Sequence, residues 1–195
     1  MSSEAQATFL FADIAGFTAL TEAHGDEHAV QLVEEFANVV QAELPRVDGE
    51  YVKAVGDALM LRVPEPGDAV RFGLWITRNA MSGHHAPSVR VGGNHGSAVE
   101  RSGDYFGTTI NVAARVSALA AGGEVLITGR TAALAPDLEG VLYESRGRQV
   151  LAQCCGAGRN LRRRSRGREC RSLGDRPCLS DGGRSRACSW ALAAG

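Results

Sequence analysis

The chain has 195 residues, a one-domain length, with an apolar fraction of 44% and a formal net charge of −1. No run approaches the ~20 apolar residues that span a bilayer, and Met1-Ser2-Ser3-Glu4 lacks the basic start of a signal peptide, so a cytoplasmic protein is expected. The small net charge conceals an asymmetry: residues 1–150 carry 11 Lys/Arg against 19 Asp/Glu, whereas 151–195 carry 10 Arg against 3 acids and all five cysteines. The expected organisation is a folded domain over 1–150 and an Arg/Cys/Gly-rich, disordered tail over 151–195.

In chain order, Ala7 to Ile14 reads as a buried strand, because Thr8-Phe9-Leu10-Phe11-Ala12 is nearly continuous in apolar or β-favouring residues. A helix follows, with Ala29, Val33, Phe36 and Val40 at three- and four-residue spacing, Asp26 as its N-cap and Pro45 closing it. Tyr51–Val55 and Ala58–Val63 are two short strands separated only by Gly56-Asp57, a strong two-residue hairpin signal. Asp68 to Met81 is predicted helical. Val89–Val91 opens a strand that Gly92 and Gly93 weaken. Thr109–Ala120 is a second clear helix, then come a strand at Val125–Ile127, a short helix after Thr131 and a strand around Val141–Tyr143. This order is α+β, of the split βαβ kind.

Two carboxylates stand out. Asp13 ends the first strand and Asp57 sits at the hairpin tip, so the two can converge. Paired carboxylates beside a nucleotide's phosphates suit magnesium, a hard cation that prefers oxygen. Asp57 is equally a good turn residue and Asp13 a helix cap, so spacing alone does not choose. Further on, Gly103-Asp104-Tyr105-Phe106-Gly107 precedes Asn111 and Arg115, which lie four apart on one helix face. An amide beside a guanidinium suits a ribose or phosphate contact, and Arg stabilises charge building on phosphorus.

Four blocks together resemble the class III adenylate and guanylate cyclase catalytic domain, over roughly residues 6–150. They are Phe11-x-Asp13-Ile14-x-Gly16-Phe17-Thr18, Lys53-x-x-Gly56-Asp57-Ala58, Gly103-Asp104-Tyr105-Phe106-Gly107 and Asn111-x-Ala113-Ala114-Arg115. The resemblance implies a ferredoxin-like (split βαβ) fold with a central, mostly antiparallel sheet and flanking helices. It implies that Asp13, Asp57 and the backbone carbonyl of Ile14 hold two divalent cations (Mg2+ or Mn2+). It also implies that Lys53 and Asp104 select the base, and that Asn111 and Arg115 orient the ribose and stabilise the transition state. A lysine donates to adenine N1 while a carboxylate accepts from the N6 amino group; guanine reverses that pattern, so Lys53 with Asp104 argues for ATP.

In the family the metal-binding aspartates come from one subunit and the other four residues from its partner. A head-to-tail homodimer making cyclic AMP and pyrophosphate is therefore expected, with no nucleic-acid or membrane partner. A catalytically silent, nucleotide-binding or dimerising module is the alternative; only the C-terminus supports it.

That C-terminus departs from the pattern. Gly147-Arg148-Gln149-Val150-Leu151 is followed by Ala152 where a basic residue is expected. Beyond it lies an Arg-rich stretch without helix or strand periodicity. A basic tail for nucleic acid or acidic membrane is one reading. A metal site is disfavoured by the irregular spacing of Cys154, Cys155, Cys170, Cys178 and Cys188. An ending translated in a shifted frame is the favoured one, and it would leave a sheet edge unpaired. Gly93 is a smaller departure, at a position where the family resemblance implies an apolar residue.

Overall fold

The computed structural model describes residues 3–81, 86–147, 149 and 188–192. The tail expectations for 151–187, including its disorder and its shifted-frame origin, lie outside the described residues.

β1 (Ser3–Ile14) starts four residues before the apolar run that predicts it. It runs antiparallel to β3 (Ala58–Val63) on one side and to β4 (Val89–Arg101) on the other. Its side chains alternate, as strand pleating requires. Leu10, Ala12 and Ile14 join one core with Leu59, Leu61 and Val63, under α2 (Asp26–Glu43) and α3 (Pro66–Asn79). Ala7, Phe9 and Phe11 join a second core with Met60, under α4 (Thr108–Leu119). The sheet is therefore covered on both faces, and α4 has its own face.

The expected helix after β1 is two helices. Gly25, at φ +86°, separates α1 (Phe17–His24) from α2 and is the residue before the first turn of α2, so Asp26 opens α2 as a helical residue and not as its N-cap. Pro45 falls in a 3-10 turn, Leu44–Val47, that ends α2. β2 (Glu50–Val55) and β3 form the predicted hairpin, with Val55 opposite Ala58 and Gly56 at φ +65° in the turn. α3 starts two residues before the expected position because Pro66 suits a helix start, where its missing N–H costs nothing.

β4 is thirteen residues long, so Gly92 and Gly93 do not weaken it. A Cβ at Gly92 would lie 2.0 Å from the Ser117 backbone nitrogen, so glycine here lets α4 lie directly on the strand. At Gly93 a Cβ would stand 2.6 Å from Leu10 Cδ2; Leu10 already fills the space assigned to an apolar residue. Ser117 also donates from Oγ to the Phe11 carbonyl at 3.1 Å, fixing α4 to β1 as well.

β5 (Asp104–Phe106), which sequence periodicity does not predict, folds back on β4 after a turn at Ser102-Gly103. β6 (Val125–Thr128) lies parallel to β4, α5 (Gly129–Leu134) begins at Gly129, ahead of its predicted start after Thr131, with Thr128 as cap, and β7 is Leu142–Ser145. β8 (Cys188–Leu192) lies between β6 and β7, parallel to both, which completes the order β2-β3-β1-β4-β6-β8-β7. Within the tail, Cys188–Leu192 is thus a strand, and its backbone groups pair with those that the edges of β6 and β7 present.

Candidate active site

Asp13 continues the odd-numbered row of β1, after Phe9 and Phe11, and so lies on the α4 face of the sheet. It is buried, 9% exposed. Opposite it in register stand Ala58, the first residue after the hairpin turn, and Arg90 of β4. Arg90 donates from Nε to Asp13 Oδ2 at 2.7 Å, and its Nη2 reaches the same oxygen.

The turn brings the Asp57 carboxyl close enough to that of Asp13 for each to act on the other. Burial, then the neighbouring Asp13 carboxyl and its charge, push the Asp57 carboxyl up to about 6; its own backbone and Arg90 oppose the shift. Ile14 ends β1 with its side chain in the α2/α3 core, leaving its main chain beside Asp13 at the strand end.

Among the described residues no three His, Cys, Asp or Glu side chains gather as metal ligands. A cation here would rest on these two carboxylates, a backbone carbonyl and ligand oxygens, a donor set that fits magnesium or manganese. The crowding that raises Asp57 is of the kind a divalent cation relieves.

Lys53 reaches the same face through an irregularity. The β2–β3 register shifts between Tyr51, opposite Leu61, and Lys53, opposite Met60, so Val52 is an extra residue. The bulge turns Lys53 toward Met60 and α4; regular pairing would have set it opposite Leu59, in the other core. Lys53 then donates from Nζ to Asp104 Oδ2 at 2.5 Å, and Asp104 Oδ1 accepts from the Tyr105 backbone N–H at 2.8 Å. The Lys53 hydrogen bond, the largest influence, holds the Asp104 carboxyl below its usual range. The Lys53 ammonium also stands 5.9 Å from the centre of the Phe106 ring.

Lys53, Phe106 and Asn111 share a cleft of about 380 Å³ with Phe11, Met60 and Ile110 as apolar walls. Arg115 lies one turn beyond Asn111 on α4, half-buried, with no ion-pair partner among the described residues. The structure therefore unites Asp13 with Asp57, and Lys53 with Asp104 and Asn111, while Arg115 does not line that cleft. A second cleft, about 520 Å³, lies between α1, α2 and the end of α3 and holds none of these residues.

Arg90 is absent from the residues singled out by sequence. Its signal, a cation directly opposite Asp13, exists only once the β1–β4 register is known. His95 is buried, with its ring nitrogen 3.0 Å from Thr8 Oγ1, and burial lowers its pKa, so it is a packed polar residue of the sheet.

A sheet covered on both faces, with a carboxylate pair and a Lys–Asp pair on the side under α4, is the arrangement of a class III nucleotide cyclase domain. The family model described as the adenylate and guanylate cyclase catalytic domain matches residues 1–159, and the chain belongs to that family.

It is 35% identical over 122 residues to the pH-sensitive adenylate cyclase of Mycobacterium tuberculosis, covering 63% of this chain and 30% of that protein. An adenylate cyclase of Streptomyces coelicolor is 33% identical over 117 residues, covering 60% and 31%. The chain thus spans about a third of the length of these relatives.

Among solved structures, the adenylyl cyclase CyaB from P. aeruginosa superposes with a TM-score of 0.61 at 23% identity, covering 73% of this chain and 88% of that one. The catalytic core of a rhodopsin-guanylyl cyclase with converted specificity, in complex with ATPalphaS, gives 0.63 at 23% identity, covering 69% and 83%. These likenesses establish the α+β cyclase fold.

Proposed function

We propose that this domain is an adenylate cyclase, converting ATP to 3′,5′-cyclic AMP and pyrophosphate at sites shared between two copies of the chain. The observation that carries the reading is the Lys53–Asp104 pair at 2.5 Å, beside Asn111's cleft and on the same sheet face as Asp13 and Asp57. Lys53 offers a donor to adenine N1 and Asp104 an acceptor to the N6 amino group. Both are poor partners for the matching edge of guanine, where the pattern reverses. The apolar walls Phe11, Met60 and Ile110 suit the faces and rim of a purine.

Asp13, Asp57 and the Ile14 carbonyl would hold two divalent cations, Mg2+ or Mn2+. When bound, such ions activate the ribose 3′-hydroxyl and neutralise charge on the departing pyrophosphate. Asn111 orients the ribose so that the 3′-oxygen attacks the α-phosphorus in line as the bond to the β-phosphate oxygen breaks. Arg115 neutralises the charge that builds on the α-phosphoryl oxygens. Little covalent work falls to the protein; position and charge carry the reaction.

Two half-exposed apolar residues at the cleft, Phe106 (52%) and Val55 (49%), favour cover by a second copy. In a head-to-tail pair the carboxylates of one copy would meet Arg115 of the other. A reaction consuming ATP belongs in the cytoplasm, and neither nucleic acid nor membrane enters it; among the described residues no helix is long and apolar enough to cross a bilayer.

The test is cyclic AMP formation by the purified chain with ATP and manganese, beside Asp57→Ala. Product that vanishes in the variant supports the enzyme. A folded, dimeric chain that binds ATP and makes no product supports a silent nucleotide-binding module instead.

A further inference from the structure

The pair that reads the base joins two strands that are not neighbours in the sheet: β2 pairs with β3, and β5 pairs with β4. Two side-chain hydrogen bonds link them among the described residues. One is Lys53 to Asp104; the other is Tyr105 Oη, which donates to Glu50 Oε2 at 2.9 Å. On the reading above, a purine would draw the Lys53 ammonium and the Asp104 carboxylate to its edge, and the first link would open. The second would remain.

That second link is built into the fold. Tyr105 is 6% exposed, its ring packs against Phe9 with centroids 5.2 Å apart, and the Arg62 guanidinium stands 5.8 Å from its ring centre. Arg62 lies directly opposite Glu50 across the hairpin and pairs with its carboxylate at 3.8 Å. Burial, then the bond to Glu50, push the Tyr105 hydroxyl up to about 12, so it stays a donor at any working pH. The bulge at Val52 makes the geometry possible: Glu50 and Lys53 are three residues apart, and a regular strand would send them to opposite faces.

We propose that Glu50 and Tyr105, backed by Arg62, form a clamp that sets the spacing of Lys53 and Asp104 once a nucleotide has parted them, and so enforces the choice of adenine over guanine. These are positioning residues that act through Lys53 and Asp104. The inference rests on the ATP-cyclase reading above. Its physical basis is that a two-point reading of a purine edge discriminates only when donor and acceptor are held at a fixed separation; a loose pair adapts to either base.

The experiment uses the full chain with manganese, and Tyr105→Phe, Glu50→Ala and Glu50→Gln. For each, kcat and KM are measured with ATP and with GTP, and binding of both nucleotides is measured separately by calorimetry. Tyr105→Phe keeps the packed ring and loses only the hydroxyl. We expect its ATP:GTP ratio of kcat/KM to fall about tenfold, mainly through a higher KM for ATP. Glu50→Ala should do the same, and Glu50→Gln, which keeps an acceptor for Tyr105, should restore most of the ratio.

An unchanged ratio in Tyr105→Phe overturns the clamp, as does an equal loss for both nucleotides, which marks general damage. If the unaltered chain binds ATP over GTP without turnover, the enzyme reading fails but the binding ratios still decide the clamp in the same way. If it shows no preference for ATP in binding or turnover, both readings fall.

Discussion

The carboxyl of Asp57, in the β2–β3 turn, stands beside that of Asp13 at the end of β1, and Arg90 binds Asp13 while its charge bears on Asp57. Burial first, then the adjacent Asp13 carboxyl, disfavour the Asp57 anion. In the metal-free protein Asp57 therefore keeps, up to about pH 6, a proton that an ordinary aspartate has lost.

The sign of the resulting pH dependence follows from linkage. The folded Asp57 titrates at about 6 and the unfolded one at 3.8, so between these values only the folded protein holds the proton. Its contribution to stability is fully present below 3.8 and is lost as pH rises through 6. Asp57→Asn removes the loss. Because Asp57 is partly exposed, we discount the shift and expect about 1 kcal/mol of added stability at pH 7.5, a rise of a few degrees in Tm. No gain should appear below pH 4. Thermal unfolding in chelator at both pH values checks this, and manganese should raise the Tm of the unaltered chain but not of Asp57→Asn.

The Lys53–Asp104 pair should set nucleotide choice directly. Asp104→Ala is expected to lower kcat/KM for ATP about 100-fold, by losing an acceptor and leaving Lys53 unpaired in the cleft. Lys53→Glu with Asp104→Cys presents an acceptor to the guanine edge and should shift preference toward GTP. Cyclic AMP and cyclic GMP yields from mixed nucleotides measure the shift.

Arg115 stands free of ion-pair partners among the described residues, and the role proposed for it in transition-state charge stabilisation predicts a lower kcat with little change in KM. Arg115→Ala should cost about 100- to 1,000-fold in kcat. If sites are shared between copies, mixing Arg115→Ala with Asp57→Ala chains should restore roughly a quarter of the activity, because half the dimers are mixed and each holds one intact site. Activity no greater than that of the separate variants would exclude sharing.

Gly92 permits α4 to rest on β4, with no room for a Cβ beside the Ser117 nitrogen. Gly92→Ala should cost about 3 kcal/mol or more, since backbone and not a flexible side chain must move. It should also displace Asn111 and Arg115, which ride on α4. A chemical denaturation midpoint, with kcat measured well below it, separates the two effects.

The sequence by itself determined most of the elements and the family, and it supplied the candidate site residues. The unbroken run Thr8–Ala12, the spacing of Val33, Phe36 and Val40 and the Gly56-Asp57 turn are local signals, because strand, helix and hairpin each need only neighbouring residues to take defined backbone angles. Asp13, Asp57, Asn111 and Arg115 were legible as candidates by residue type and spacing, and Lys53 with Asp104 through the motifs shared with the cyclase family.

What joins them was not legible. The bulge at Val52 that turns Lys53 to the α4 face, the register that sets Arg90 against Asp13, and the contact of Tyr105 with Glu50 all depend on which strands pair and by how much they slip. The same holds for Gly92 and Gly93, which look like strand breakers until α4 and Leu10 occupy the space above them. It holds too for Cys188–Leu192, which becomes a strand because β6 and β7 present edges to it. Local sequence sets backbone preference; the energy of a long-range pair exists only when the fold brings its two halves together, so only the tertiary structure decided them.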